Sequence, residues 1–214
     1  MLTKTFVKLT KAKQERIFQS ALKEFATKGY SLASTNNICK EAEISKGSMF
    51  QYFENKENLF LFVVRKALSE VINVYKKNYI LDIEDMSLKD IFINSCFHLL
   101  KFYEMYPYHY KLYLRINYEM DAPNYKELRR YLVKYVSAIT HQFIELGKKR
   151  NLLRNDINSD LALFFINSVL NRFIEVCFEP GIEPVINYNI VSKNKEEIIE
   201  EIYKFLLEGL GVKN

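Results

Sequence analysis

An all-α fold is predicted by three features of this sequence. Only 6 Gly and 4 Pro interrupt its 214 residues. Apolar residues recur at i, i+3, i+4 and i+7 over long windows. A capping residue, mostly Ser, Thr or Asn, stands ahead of one such window after another.

Taken in order, Ile17, Ala21, Leu22, Phe25 and Ala26 form the stripe of a first helix, stopped by Gly29. A short helix is predicted from Thr35 to Ala42 with Ser34 or Thr35 as its cap, and another from Lys46 to Phe53 capped by Ser45. Asn55 caps a long helix carrying Leu59, Phe62, Val63, Leu68 and Ile72. Ser87 and Asp90 signal the start of a helix that ends near Tyr106-Pro107. A short helix follows over 108–119, then a long one opened by Ala122-Pro123 and ending at Lys148-Lys149-Arg150. Asn158 or Ser159 caps an unusually apolar helix from Asp160 to Phe178. Pro180-Gly181 and Pro184 make a loop. Asn194 to Glu197 reads as a capping box for a last helix ended by Gly209 and Gly211.

Charge divides the chain unevenly. Residues 1–56 hold ten Lys/Arg against five Asp/Glu, so the whole net charge of +5 lies in the first quarter. A basic segment beside a neutral body suits a polyanion-binding head, although a solvated basic surface has the same composition. Cys39, Cys96 and Cys177 share no close spacing and fall in apolar patterns, as buried thiols of a reducing cytoplasm would. No stretch approaches the roughly 18 uninterrupted apolar residues of a membrane span. The N-terminus lacks the apolar run of a signal peptide. A cytoplasmic chain is expected.

The stretch from Ser34 to Lys56 carries the most information. Two short helices joined by a three- or four-residue turn cannot fold alone, and residues 11–28 supply a third helix against them. Ile38, Ala42, Ile44, Met49 and Phe53 provide the apolar contacts that lock the pair. This is helix-turn-helix spacing, in which the second helix enters a DNA major groove.

Here the sequence resembles the TetR (TetR/AcrR) family of transcriptional regulators. Thr35, Ile38, Ala42, Ile44, Ser45, Gly47, Met49, Phe50, Tyr52, Phe53, Lys56 and Leu59 fall at the places of that family's pattern, and Phe25, Gly29 and Tyr30 fit its first helix. Three positions depart. Cys39 replaces a small Ala, Glu43 stands where the turn normally has Gly, and Phe50 replaces a Tyr whose hydroxyl typically reaches a phosphate. A non-Gly residue at positive φ is costly, so strain is expected at Glu43. At Phe50 one backbone contact is expected to be missing.

Chemistry and resemblance together imply roles. Lys46 and Lys56 are candidates for phosphate contacts, and Thr35, Ser45 and Tyr52 for hydroxyl bonds to phosphate oxygens. Asn36, Ser48 and Gln51 are candidates for reading base edges, and Gly47 lets the helix approach the groove closely. The resemblance implies a DNA-binding domain over 1–56 and a helical effector-binding and dimerisation domain over 57–214. It further implies a homodimeric repressor on double-stranded, palindromic operator DNA, released by a small lipophilic effector. A DNA-binding activator, or a repressor without an effector, is the alternative reading.

Candidate pocket residues are Phe92, Cys96, Leu99, Tyr103, Tyr110, Leu114, Tyr135, Ile139, Phe143, Phe165, Val169 and Phe173, each of which simple core packing would equally explain. His98, His141, Asn167, Arg172 and Glu175 are possible polar handles in a site of that kind. The helix over 160–178 and the last helix, with Ile198, Ile199, Ile202, Phe205 and Leu206, are the expected dimer pair. No phosphate loop, nucleophile elbow or metal-ligand spacing is present, so neither an enzyme, a metal nor a cofactor is expected.

Overall fold

The computed structural model describes residues 3–79, 85–178 and 194–211; for 75–79, Tyr135, Val136 and Ile139 only the backbone is described. Ten helices are found among them: α1 Lys4–Val7, α2 Lys11–Leu32, α3 Thr35–Glu41, α4 Lys46–Phe53, α5 Lys56–Tyr79, α6 Leu88–Met105, α7 Pro107–Tyr118, α8 Tyr125–Lys149, α9 Ser159–Phe178 and α10 Lys195–Leu210. The loop expected at Pro180-Gly181 and Pro184 lies outside the described residues.

The caps follow the sequence closely. Ser34, Ser45 and Asn55 accept from the backbone N–H groups of Asn37 (3.3 Å), Ser48 (3.0 Å) and Asn58 (2.8 Å). Ser87 accepts from Asp90 N at 3.0 Å, and Asn158 from Leu161 N at 3.0 Å. Each cap satisfies one of the amides a helix start leaves without a carbonyl. Two expectations are corrected. Asn194 makes no capping bond, so the capping box of α10 does not form. Pro123 precedes α8 rather than sitting in its first turn, because Asn124 turns the chain at φ 54 before the helix begins.

The chain divides into two compact units, one of residues Met1–Asn78 with Met105–Leu132, the other of Tyr79–Glu104 with Val133–Asn214. In the first, Ile17, Phe18, Ala21, Leu22 and Phe25 of α2 are buried with Ile38 of α3, Met49 and Phe53 of α4, Leu59 and Val63 of α5, and Leu112 and Ile116 of α7. α7 is strapped along α2. Arg115 donates to Ala26 O and Thr27 O at the end of α2 and pairs with Glu119. Gly29, at φ 73 and ψ 174, breaks the helical run there, a conformation essentially confined to glycine. A Cβ at this position would collide with the Glu119 carboxylate.

A polar cluster ties three helices of the same unit. The Glu70 carboxylate of α5 meets Nε2 of the buried His109 of α7 at 2.9 Å. Lys66 of α5 donates to Glu70 and, at 2.9 Å, to Glu15 of α2. Its ammonium lies 3.9 Å from the centre of the Phe18 ring.

The second unit has its own core. Phe92 of α6 packs against Phe143 of α8 and Tyr203 of α10, each at 5.6 Å between ring centres. Thr140 of α8, itself buried, donates to Asn167 of α9 at 2.7 Å. Gly147 lets Leu153 close over α8, since a Cβ there would stand 2.6 Å from the leucine side chain. α9, of 20 residues, is apolar and long enough to cross a membrane, with mean hydropathy 1.6 over its best 18-residue window. It buries Ala162, Ile166, Phe173 and Ile174 in this unit and carries the Arg172–Glu175 pair at 3.1 Å.

Candidate nucleic-acid interface

α3 and α4 owe their mutual angle to the turn Ala42–Ser45. Glu43 occupies the left-handed region at φ 52, which costs an L-residue roughly 1–2 kcal/mol. Arg16 of α2 holds the turn there. Its Nε donates to Ala42 O at 2.8 Å and its guanidinium pairs with the Glu43 carboxylate at 3.1 Å. Below the turn, Ile38, Ala42, Met49 and Phe53 are buried in the core that α2 shares, as their spacing predicts, and Ile44 is half-buried against it.

What the packing leaves outside is polar and basic. Asn36, Asn37 and Lys40 of α3 are exposed, as are Lys46, Gly47, Phe50 and Gln51 of α4. Four acidic groups of this region are engaged within the unit. Glu15 meets Lys66 at 2.9 Å, Glu41 meets Lys23 at 2.8 Å and Glu43 meets Arg16. Glu24 accepts from Ser34 N at 2.8 Å. Lys46, the first residue of α4, adds its charge to the positive end of the helix dipole. The outer face therefore offers amide, hydroxyl and ammonium groups, the set that meets phosphates and base edges.

Five other residues singled out from the sequence are placed as follows. Tyr52 is buried, its ring 6.0 Å from Phe6 and 6.4 Å from Phe53, so it belongs to the core of the unit rather than to the exposed face. Lys56, half-buried, donates to Ser31 O at 3.1 Å and lies 4.8 Å over the Tyr30 ring, holding the start of α5 to the end of α2. Burial holds its ammonium below the ordinary lysine range against the opposing pull of Glu24. Ser45 and Ser48 share a hydrogen bond of 2.8 Å between their hydroxyls. Thr35, at the first position of α3, is half-buried.

One contributor is not anticipated by periodicity. α1 is only four residues, yet Thr3 Oγ1 donates to Gln51 O (2.9 Å) and Tyr52 O (3.1 Å), and Phe6 buries itself between Tyr52, Phe53 and Phe62. It thereby satisfies carbonyls that the end of α4 leaves open. The signal was a capping Thr three residues ahead of an isolated Phe.

The pocket candidates do not all fall in one unit. Tyr110 and Leu114 lie on α7 in the first unit, with Tyr110 buried and stacked on Tyr113. In the second unit Phe92, Cys96, Tyr103, Phe143 and Phe173 are buried, and Leu99 and Val169 partly so. The side chains of Tyr135 and Ile139 lie outside the described residues. Phe165 is 49% exposed and shares the outer face of α9 with Leu161 and Phe164. Of the polar handles, Glu175 is buried beside Arg172, Asn167 holds Thr140, and His141 is exposed; His98 is half-buried. Burial raises the Cys96 thiol to about 12. No group of three or more His, Cys, Asp or Glu gathers as metal ligands among the described residues.

Residues 17–63 match the family described as "Bacterial regulatory proteins, tetR family". The regulator YuxN of Bacillus subtilis is 39% identical over 71 residues, 31% of this chain and 24% of YuxN. The match to YuxN is thus confined to about a quarter of that protein's length. The transcriptional repressor AcnR of Corynebacterium glutamicum is 26% identical over 176 residues, 78% of this chain and 82% of AcnR. In fold, the chain resembles the crystal structure of a TetR family transcriptional regulator from Chloroflexus aurantiacus. The TM-score is 0.76, with 23% identity and full coverage of both chains. The matched residues run from α2 into α5 and include the exposed face of α3 and α4, so over residues 17–63 the chain carries the DNA-binding segment described for the tetR family of bacterial regulatory proteins.

Proposed function

We propose that this chain is a homodimeric repressor that grips palindromic operator DNA with α3 and α4 and releases it when a small lipophilic molecule binds its C-terminal helices. The observation that carries the reading is the exposed face of Asn36, Lys40, Lys46, Gly47 and Gln51, beside which Glu15, Glu41 and Glu43 are paired with lysine or arginine. Lys46 takes a phosphate, Asn36 and Gln51 read base edges, and Gly47 admits the groove wall. The repressor reading is supported by the name of AcnR.

Assembly rests on a second observation. Leu161, Phe164 and Phe165 form one exposed stripe on α9, and Phe205 stands 67% exposed on α10. Apolar stripes on two helices per protomer suit an isologous four-helix interface. Two heads related by such an axis read half-sites about 34–36 Å apart. The aromatic second unit suits an uncharged or weakly charged lipophilic effector, and the cytoplasm is where such a regulator would work. Mobility-shift titrations with duplexes selected from a random library test the reading. Retardation of a palindrome, relieved by a fatty-acyl or aromatic compound, is expected. Retardation that no such compound relieves would leave a DNA-binding regulator without an effector.

A further inference from the structure

α4 presents an apolar ring in the middle of its outward face. At about 100° per residue, Lys46, Phe50, Gly47 and Gln51 follow one another around an arc of about 140°, with Phe50 and Gly47 at its centre. Tyr52 and Met49 lie on the far side of the helix and Phe53 flanks the arc next to Lys46, all three buried. Phe50 is 43% exposed. It has no donor or acceptor, so it can bond neither a phosphate nor the polar atoms of a base edge. Beside it, a Cβ at Gly47 would find no atom within 4 Å except Ser45 Oγ at 3.8 Å, so the helix backbone is open to close approach there.

Of the groups that base pairs display in the major groove, one is apolar: the 5-methyl of thymine. We propose that Phe50 is a specificity-determining residue that selects thymine by packing its ring against that methyl group, with Gly47 admitting the base edge alongside. The inference rests on the operator-binding reading above. The neighbouring cation, Lys46, favours the polyanion over an apolar protein partner for this patch. Lost hydroxyl chemistry at position 50 thus becomes a sequence preference.

The test uses the full chain and a duplex it selects from a random library. Each thymine is replaced in turn by deoxyuridine, which removes the methyl and leaves the hydrogen-bonding edge unchanged. One position per half-site is expected to weaken wild-type binding about fourfold, the worth of one buried methyl. Phe50→Ala should bind equally well with thymine or deoxyuridine at that position and keep its sensitivity elsewhere. Its thermal melt should match wild type, because the ring is exposed. Binding that is indifferent to every deoxyuridine, or a Phe50→Ala protein with wild-type sensitivity, overturns the role of Phe50 while operator binding stands. Failure to enrich any duplex overturns operator binding itself, and this inference with it.

Discussion

Glu43 and Glu54 both hold positive φ, at 52 and 67, on either side of α4, and Glu54, at ψ −45, makes a tight γ-turn closed by Asn55 N–H on Phe53 O at 2.7 Å. Each costs roughly 1–2 kcal/mol relative to glycine in backbone sterics, against which glycine loses roughly 0.5–1 kcal/mol in chain entropy. Glu54→Gly should therefore stabilise the protein by about 0.5–1 kcal/mol, a rise in Tm of a few degrees at most. Glu43→Gly should gain less, because it gives up the Arg16 pair, an exposed contact worth about 0–1 kcal/mol. Paired thermal melts check the order; a larger gain at Glu43 would show that Arg16 does not hold the turn. The converse substitution, Gly29→Ala, should cost more than either gain, since both the backbone and the Glu119 carboxylate refuse a Cβ. The strain at Glu43 was legible in the sequence as a departure from glycine. Its partner was not, because Arg16 lies 27 residues earlier and nothing in local spacing links the two.

α7 shows why element boundaries were easier to read than element roles. Pro107 and the apolar spacing of 108–119 announce a helix, yet only the fold reveals that it lies on α2 through Arg115, Leu112 and Ile116. Likewise His109 reads as one more residue of that helix until Glu70, 39 positions away, comes within 2.9 Å. α1 was missed because four residues are too few to show a period. The caps Ser34, Ser45, Asn55 and Ser87 were readable because capping is local; the polar cluster is not. That cluster has a pH signature. Burial pushes the Glu70 carboxyl up, but hydrogen bonds from His109 and Lys66 outweigh it and hold it below 4.5. Its stabilising contribution is therefore present above the ordinary carboxylate range and lost as pH falls through the lowered value. Burial likewise pulls Lys66 down, but Glu70 and Glu15 outweigh it and hold the ammonium above 10.5. That contribution is present below 10.5 and disappears as pH rises through the raised value. Wild type should exceed Glu70→Gln in Tm by a constant margin at intermediate pH, and the margin should narrow at the acid end. A margin independent of pH would remove the cluster from the stability of this unit.

At the scale of the whole molecule, DNA contact and assembly make separable demands. Lys46→Ala should weaken binding to every duplex alike and reduce the salt slope by about one unit per lost phosphate contact. Gln51→Ala should instead relax preference at particular base pairs, by roughly 1–3 kcal/mol each. The proposed assembly uses α9 and α10, each of which leaves a large apolar side chain exposed. Ile199, Tyr203 and Leu206 of α10 turn inward, whereas Ile198 and Ile202 are half-buried and Phe205 is exposed. Ile198, Ile202, Phe205 and Gly209 share one stripe at helical spacing, and a Cβ at Gly209 would meet nothing within 4 Å, so a partner helix can close on the backbone there. A glutamate at Phe205 would be solvated in an isolated protomer and buried, uncompensated, in a two-fold interface. Phe205→Glu is therefore expected to sediment as a folded monomer with wild-type helical content, and the parent, under the same conditions, as a dimer. Because two heads must be joined to span a palindrome, the same variant should lose affinity for the full operator far more than for an isolated half-site. Equal losses on the two duplexes would place Phe205 in the fold of the protomer rather than between protomers.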